Sequence, residues 1–229
     1  MGQKINPQSL RLGVTKPWPV RWFFGMPGGK SEGGMKSYRK LLEEDEVIRK
    51  VIREKIITAG IAGVDIERTS TSTRLTIRAA RPGFIIGRGG KGIEEFTKAL
   101  ENALTKLRGK KPQALSVNIE ELKRSEVSAV HVAQQIAWDL EKRLPFRRVM
   151  KKYLDQMAQN KDVKGAKILV GGRLNGAEIS RREWKTVGSL PLQTLRADID
   201  YGRATAFCSY GTLGIKVWIH KGEIKSDKS

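Results

Sequence analysis

Three glycines, Gly87, Gly89 and Gly90, crowd into four positions between a short apolar stub, Phe84-Ile85-Ile86, and an amphipathic run opening at Lys91-Gly92-Ile93. No other feature narrows the fold as much. A turn this tight between two helices needs backbone angles that glycine adopts at no steric cost. The same lack of Cβ atoms lets a phosphate backbone approach the main chain closely. The first amides of the following helix then offer unpaired N–H donors and the positive end of a helix dipole. Arg88 and Lys91 add positive charge beside that cradle.

Residues Gly87 to Gly92 also match G-x-G-x-x-G, the dinucleotide fingerprint, which requires a full buried strand directly before it. Pro82-Gly83 leaves only three apolar residues there, too few for such a strand. Glu120 and Glu121, near the end of a later strand, would imitate the ribose-binding acid, so a nucleotide-dependent oxidoreductase stands as the enzyme alternative. A second near match is Gly25-Met26-Pro27-Gly28-Gly29-Lys30-Ser31. A phosphate-binding Walker loop needs its first glycine one place earlier, where this chain has Phe24. That stretch reads as a loop.

The surroundings of the glycine turn decide between these readings. From about 40 to 58, Val47, Ile48, Val51, Ile52 and Ile56 recur at helical spacing, and Gly60 ends the run. Val64 and Ile66 alternate with acids, and Leu75 and Ile77 alternate with Thr76 and Arg78, which predicts two half-buried strands. After the turn, Ile93, Phe96, Leu100, Leu104 and Leu107 make one helical stripe, and Leu115, Val117 and Ile119 alternate as a third strand. Helix, strand, strand, short helix, glycine loop, helix, strand is an order that resembles the bacterial-type, or type II, KH module. In such modules a loop of this form clamps about four nucleotides.

Charge supports a polyanionic partner. The 229 residues hold 44 Lys and Arg against 24 Asp and Glu, a formal charge of +20. Residues 1–40 carry +7 and residues 41–122 only +3, while 123–161 and 162–229 carry +5 each. Such self-repulsion does nothing for folding stability, and its use lies in binding. No apolar run is long enough to span a bilayer, and the N-terminus lacks the apolar core of a signal peptide. A single cysteine, Cys208, suits a reducing compartment. The expectation is a soluble, basic, intracellular protein whose partner is nucleic acid rather than a membrane.

Residues 1–37 hold Pro7, Pro17, Pro19 and Pro27 with no sustained period, and read as an extended basic arm. Its candidate RNA contacts are Lys4, Arg11, Lys16 and Arg21, with Trp18, Trp22, Phe23 and Phe24 interleaved. It either folds onto a partner or packs as a strand or cap on the rest of the chain. Residues 38–122 form the KH-like domain, 123–222 a second domain, and 223–229 a loose tail. In the second domain Ser125 is a candidate N-cap, followed by a stripe of Val130, Ala133, Ala137, Leu140 and Leu144. A further helix, about 146–160, puts Phe146, Val149, Met150, Tyr153, Leu154 and Met157 on one arc at 100° per residue. Arg147, Arg148, Lys151 and Lys152 fall on the opposite arc, a positive face that reads as a nucleic-acid contact. Beyond Gly165 the pattern turns β-rich, through Ile168-Leu169-Val170 and the segments holding Ile199, Tyr201, Phe207, Ile215, Val217 and Ile219. The fold class is therefore α+β: a type II KH domain, then a domain of two helices and a small, mainly antiparallel sheet, with the arm in front.

Residues for catalysis are missing. His131 and His220 have no cysteine or carboxylate at metal-ligand spacing, and Cys208 reads as a small strand residue. Asp198 and Asp200 share a strand face, where pairing with Arg196 or Arg203 is expected ahead of a metal. No nucleophile–base–orienter set is visible, so no cofactor, metal or catalytic residue is assigned.

Longer strings carry a further resemblance. Met1-Gly2-Gln3-Lys4, Arg11-Leu12-Gly13 and Lys16-Pro17-Trp18 open the chain, Ala80-Arg81-Pro82-Gly83 leads into the glycine loop, and Phe146-Arg147-Arg148-Val149-Met150-Lys151 marks the basic helix. Gly172-Arg173-Leu174-Asn175-Gly176-Ala177-Glu178-Ile179, Thr194-Leu195-Arg196-Ala197-Asp198-Ile199-Asp200-Tyr201 and Tyr210-Gly211-Thr212-Leu213-Gly214-Ile215-Lys216-Val217-Trp218-Ile219 follow. Over nearly its whole length the chain resembles the family of bacterial small-subunit ribosomal protein three. That resemblance implies a cytoplasmic, structural 30S component binding the 3′ major domain of 16S rRNA in the head. Small-subunit proteins ten, fourteen and two would be its neighbours. It further implies that Arg147, Arg148 and Lys151 face incoming mRNA at the entry channel and contribute passively to its unwinding. The chain departs from its relatives within the loop, where Arg88 is followed by Gly89 rather than by a second basic residue. A free KH regulator acting on mRNA outside the ribosome is the alternative binding reading; retention on 30S particles in high salt separates the two.

Overall fold

The computed structural model describes residues 4–22, 32–56, 59–69, 72–108, 114–122 and 127–224. Phe23, Phe24, the near-Walker stretch 25–31, Met1-Gly2-Gln3, Ser125 and the tail from 225 onward lie outside the described residues. The chain divides into two compact units, Pro19–Leu122 and a second made of Met1–Trp18 with Lys123–Ser229. The stretch read as one arm, 1–37, is thus shared between them.

In the first unit a two-residue strand β1 (Val20–Arg21) precedes α1 (Glu32–Lys55), β2 (Ile61–Arg68), β3 (Ser72–Ala79), α2 (Gly83–Ile86), α3 (Lys91–Arg108) and β4 (Ala114–Glu121). The sheet order is β1-β2-β3-β4, with β2 and β3 antiparallel and the other two pairs parallel. This is the expected KH order with one strand added at the edge. Parallel β3 and β4 require a crossover, and α2, the glycine turn and α3 supply it. The core forms where the α1 stripe (Ile48, Ile52, Ile56) and the α3 stripe (Phe96, Leu100, Leu104) meet Ile66, Leu75, Ile77 and Ala79 of the sheet. Each such large aliphatic side chain contributes roughly 1.5–3 kcal/mol on burial. Leu107, placed on the stripe by its spacing, is 49% exposed, one turn beyond the buried Leu104.

α1 starts eight residues before the expected position, at Glu32. Its extra turns run through Gly33-Gly34, so propensity gives no sign of them. β1 pairs in parallel with β2 through Val20 opposite Ile66. Behind it, Trp22 Nε1 donates to Asp45 at 2.9 Å. Asp45 and Glu44 in turn accept from Arg68, all three side chains being at most 5% exposed. Of the aromatic residues of the arm, Trp22 is therefore pinned here by a buried ionic group.

The second unit contains α4 (Ala129–Glu141), α5 (Phe146–Ala158), β5 (Gly165–Gly172), β6 (Arg181–Gly188), β7 (Ala197–Cys208) and β8 (Gly211–Glu223). Its sheet runs β6-β5-β8-β7, antiparallel throughout. Both helices lie on one face, where Ala133, Ile136, Leu140, Phe146, Met150 and Leu154 meet Ile168, Val170, Ile215 and Val217. Gly202 lets α4 come close, since a Cβ there would sit 2.3 Å from the carbonyl oxygen of Ala129. α4 begins after Ser128, whose backbone is extended. β6 carries no sequence pattern because it is an exposed, charged edge strand, a common defence against unwanted pairing. β8 extends to Glu223, the first residue of the expected tail.

The N-terminal residues complete this unit, and they overturn part of the reading of the arm. Arg11 is fully buried. Its Nε donates to Ala197 O at 2.7 Å, Nη1 to Pro7 O at 2.9 Å, and Nη2 to Thr194 O at 2.7 Å and Leu192 O at 3.2 Å. Buried, with four hydrogen bonds to carbonyls, Arg11 is a clamp on the start of β7 and not an RNA contact. Lys16 donates to Ile199 O at 2.7 Å and lies 3.1 Å from Asp198. Asp200 accepts from Gln8 Nε2 at 3.0 Å and from the Ala129 amide at 2.8 Å. The partners of Asp198 and Asp200 are thus Lys16 and Gln8, not Arg196 or Arg203, and a bulge between Asp198 and Ile199 separates the two acids.

Candidate nucleic-acid interfaces

The glycine turn has the geometry its composition predicts. Gly87 ends α2 with φ +68 and its amide donates to Gly83 O. Gly89 and Gly90 also have positive φ, +63 and +78. The close approach of the two helices depends on Gly92, where a Cβ would stand 2.7 Å from Ile85 O and 3.0 Å from Ile86 O. Arg88, Gly89 and Lys91 are exposed, and Gly87 with them. Only Ile85 of the apolar stub turns inward; Phe84 is 66% exposed and Ile86 41%. An exposed phenylalanine beside the glycine turn offers a ring on which an unpaired base can stack. Sequence periodicity hides it, because three consecutive apolar residues read simply as buried.

On α5 all six residues of the apolar arc are buried and the four cations are exposed. Each outer cation has an acid. Arg147 Nη2 lies 3.2 Å from Glu183 on β6, which also meets Arg181 at 3.3 Å. Lys152 Nζ lies 3.3 Å from Asp139 on α4. The hydrogen bond to Glu183 raises the pKa of Arg147 and the same bond lowers that of Glu183. Burial, with the hydrogen bond it donates to Asp139, pushes the Tyr153 hydroxyl far above its ordinary value, so it stays a donor. Among the described residues no acid lies within ion-pair distance of Arg148 or Lys151, the middle pair. Such exposed pairs contribute little to stability, about 0–1 kcal/mol each.

The remaining arm cations separate. Lys4 is exposed, and Arg21 is 56% exposed beside Glu67 at 3.3 Å. Lys16 is largely engaged, as above. His220 is buried with Nδ1 3.1 Å from Ser189 O, and His131 lies 3.0 Å from Gln135 Nε2. Cys208 donates weakly to Leu140 O at 3.7 Å. Among the described residues no three His, Cys, Asp or Glu side chains converge as metal ligands, and no helix is long and apolar enough to cross a membrane.

Comparison with known proteins agrees with this geometry. Residues 47–127 match the model of the KH domain, and residues 136–219 match that of ribosomal protein S3, C-terminal domain. Small ribosomal subunit protein uS3 of Pelotomaculum thermopropionicum is 46% identical over 224 residues, covering 98% of this chain and 90% of that protein. The protein of the same name from Persephonella marina is 45% identical, covering 97% and 91%. That of Desulforudis audaxviator is 44% identical, covering 100% and 97%. The chain belongs to the uS3 family of small ribosomal subunit proteins.

Proposed function

We propose that this structural, rRNA-binding component of the cytoplasmic small ribosomal subunit lines the mRNA entry channel, with the exposed face of α5 turned to incoming mRNA. The observation that carries the reading is the division of charge on that helix. Arg147 and Lys152 are held by acids at the flanks, while Arg148 and Lys151 between them are not. Neighbouring cations without a counterion repel, and a phosphate chain relieves that repulsion. Phosphates held there keep one RNA strand away from its complement, so a hairpin opened ahead of the ribosome is slow to close. Translocation supplies the work and the chain contributes no chemistry of its own.

The glycine loop, Gly87 to Lys91, takes the second role, against the 3′ major domain of 16S rRNA in the 30S head, with Phe84 beside it for stacking. Lys4 and Arg21 of the arm retain a place as rRNA contacts because they stay exposed. Proteins ten, fourteen and two of the subunit are the neighbours that the family resemblance implies. A photo-crosslinking residue at position 148 or 151, carried into 30S subunits programmed with mRNA, tests the α5 assignment. The expected adduct joins α5 to mRNA that has not yet reached the decoding site. Adducts to rRNA alone from both positions would refute it.

A further inference from the structure

The sheet of the C-terminal unit has a second face, and its composition is unlike that of a solvated surface. Successive residues of a strand point to opposite sides. Ala166, Ile168 and Val170 of β5 and Ile215, Val217 and Ile219 of β8 point into the core under the helices. Their neighbours therefore point away from α4 and α5. Cross-strand register sets Lys167 opposite Trp218, and Trp218 opposite Tyr201. One row along, Leu169 stands between Trp184 and Lys216, and Lys216 is opposite Arg203. Arg182 follows on the next row, opposite Gly171.

The rings and charges on this face interlock. Lys167 Nζ lies 4.8 Å from the Trp184 ring centroid and 5.7 Å from that of Trp218. The Trp218 and Tyr201 rings lie 5.4 Å apart, tilted by 45°. Trp184 remains 59% exposed, too much aromatic surface for a strand with nothing against it. The three rows hold no acid. Glu183, the acid on β6, faces the helices and Arg147, while Asp198 and Asp200 at the start of β7 are held by Lys16 and Gln8. Burial first, and then the positive charge of Lys4 nearby, lower the pKa of Lys167, and Lys4 adds positive charge at this border.

We infer that this face binds an unpaired segment of ribosomal RNA. Flat aromatic side chains offer stacking for bases of any identity, and interleaved lysine and arginine meet the phosphates. Protein interfaces, by contrast, are depleted of lysine at their centres. The strand bound here is not the one met by α5, since α5 lies on the opposite face of the same sheet. Ribosomal RNA is the single-stranded RNA that a resident subunit protein meets on its other sides. The inference stands independently of the α5 reading.

The test places a photo-crosslinking residue at position 184, and separately at the exposed position 216, in chains assembled into 30S subunits. The expected result is an adduct with rRNA from both positions. Adducts with another ribosomal protein or with mRNA, or no adduct from either position in subunits that contain the chain, would overturn the inference. At the adducted nucleotides, Trp184→Ala is expected to raise base reactivity to chemical probes several-fold, and Trp184→Phe to restore protection. Unchanged reactivity in Trp184→Ala subunits would remove the stacking role.

Discussion

Arg68→Ala is expected to be the most damaging single change in the KH unit, destabilising it by about 3–5 kcal/mol. Arg68 lies among Glu44 (2.7 Å), Asp45 and, through Asp45, the indole of Trp22. Its guanidinium also lies 5.5 Å from the Trp22 ring centroid. Deleting it takes the guanidinium charge away from two buried carboxylates, which costs far more than the ion pairs themselves contribute. The same logic predicts that apolar replacement of all three charged groups together costs much less than the single substitution. Hydrogen exchange reads the two units separately. Amides of α1 and β2 are expected to exchange at least a hundredfold faster, at about 1.4 kcal/mol per tenfold. Amides of β5 are expected to keep their protection. Equal loss in both units, or none, would show that the buried charges do not hold β1 and Trp22 to α1.

Arg11→Ala is expected to act on the other unit and by a different route. Four carbonyls lose their donor at once, those of Pro7, Leu192, Thr194 and Ala197. Hydrogen bonds to a charged group contribute about 1.5–3 kcal/mol each and do not simply add, so a loss of about 3 kcal/mol or more is expected. Residues 4–18 should become open to limited proteolysis while the KH unit keeps its protection. Arg11→Lys should rescue little, because one ammonium cannot reproduce the planar fork that reaches four acceptors. Wild-type resistance to proteolysis in Arg11→Ala would mean that the N-terminal segment is held by other contacts.

These two arginines mark where sequence reading stops. Elements built from local periodicity were legible: the α3 stripe as far as Leu104, the two arcs of α5 and the turn at Gly87 to Gly90 stand where spacing puts them. Local composition also identified the glycine loop, because the left-handed φ values of Gly87, Gly89 and Gly90 are properties of the residues themselves. Arg11 could not be read this way. In a basic, proline-rich segment it looks like any phosphate contact, and its burial depends on carbonyls more than 180 residues away. Asp198 was misassigned for the same reason, its partner Lys16 being equally remote. β6 was invisible because an edge strand that faces water has no need of alternation. The aromatic face of the sheet was hidden too, since Trp184, Trp218 and Tyr201 come together only through the register of β6, β5, β8 and β7.

The glycine loop was the clearest signal and is the site with the least charge. The positive charge that sequence composition assigned elsewhere is found on α5 and on the outer face of the second sheet. Acids flank the α5 patch without covering its centre, and this arrangement carries the proposal for the mRNA entry channel. The most direct measurement compares translation rates on a template with a stable hairpin and on an unstructured one, using ribosomes that contain Arg148→Ala with Lys151→Ala. The account predicts slower passage through the hairpin, an unchanged rate on the open template, and wild-type incorporation of the chain into 30S subunits. A hairpin-to-open rate ratio equal to that of the wild type would contradict it.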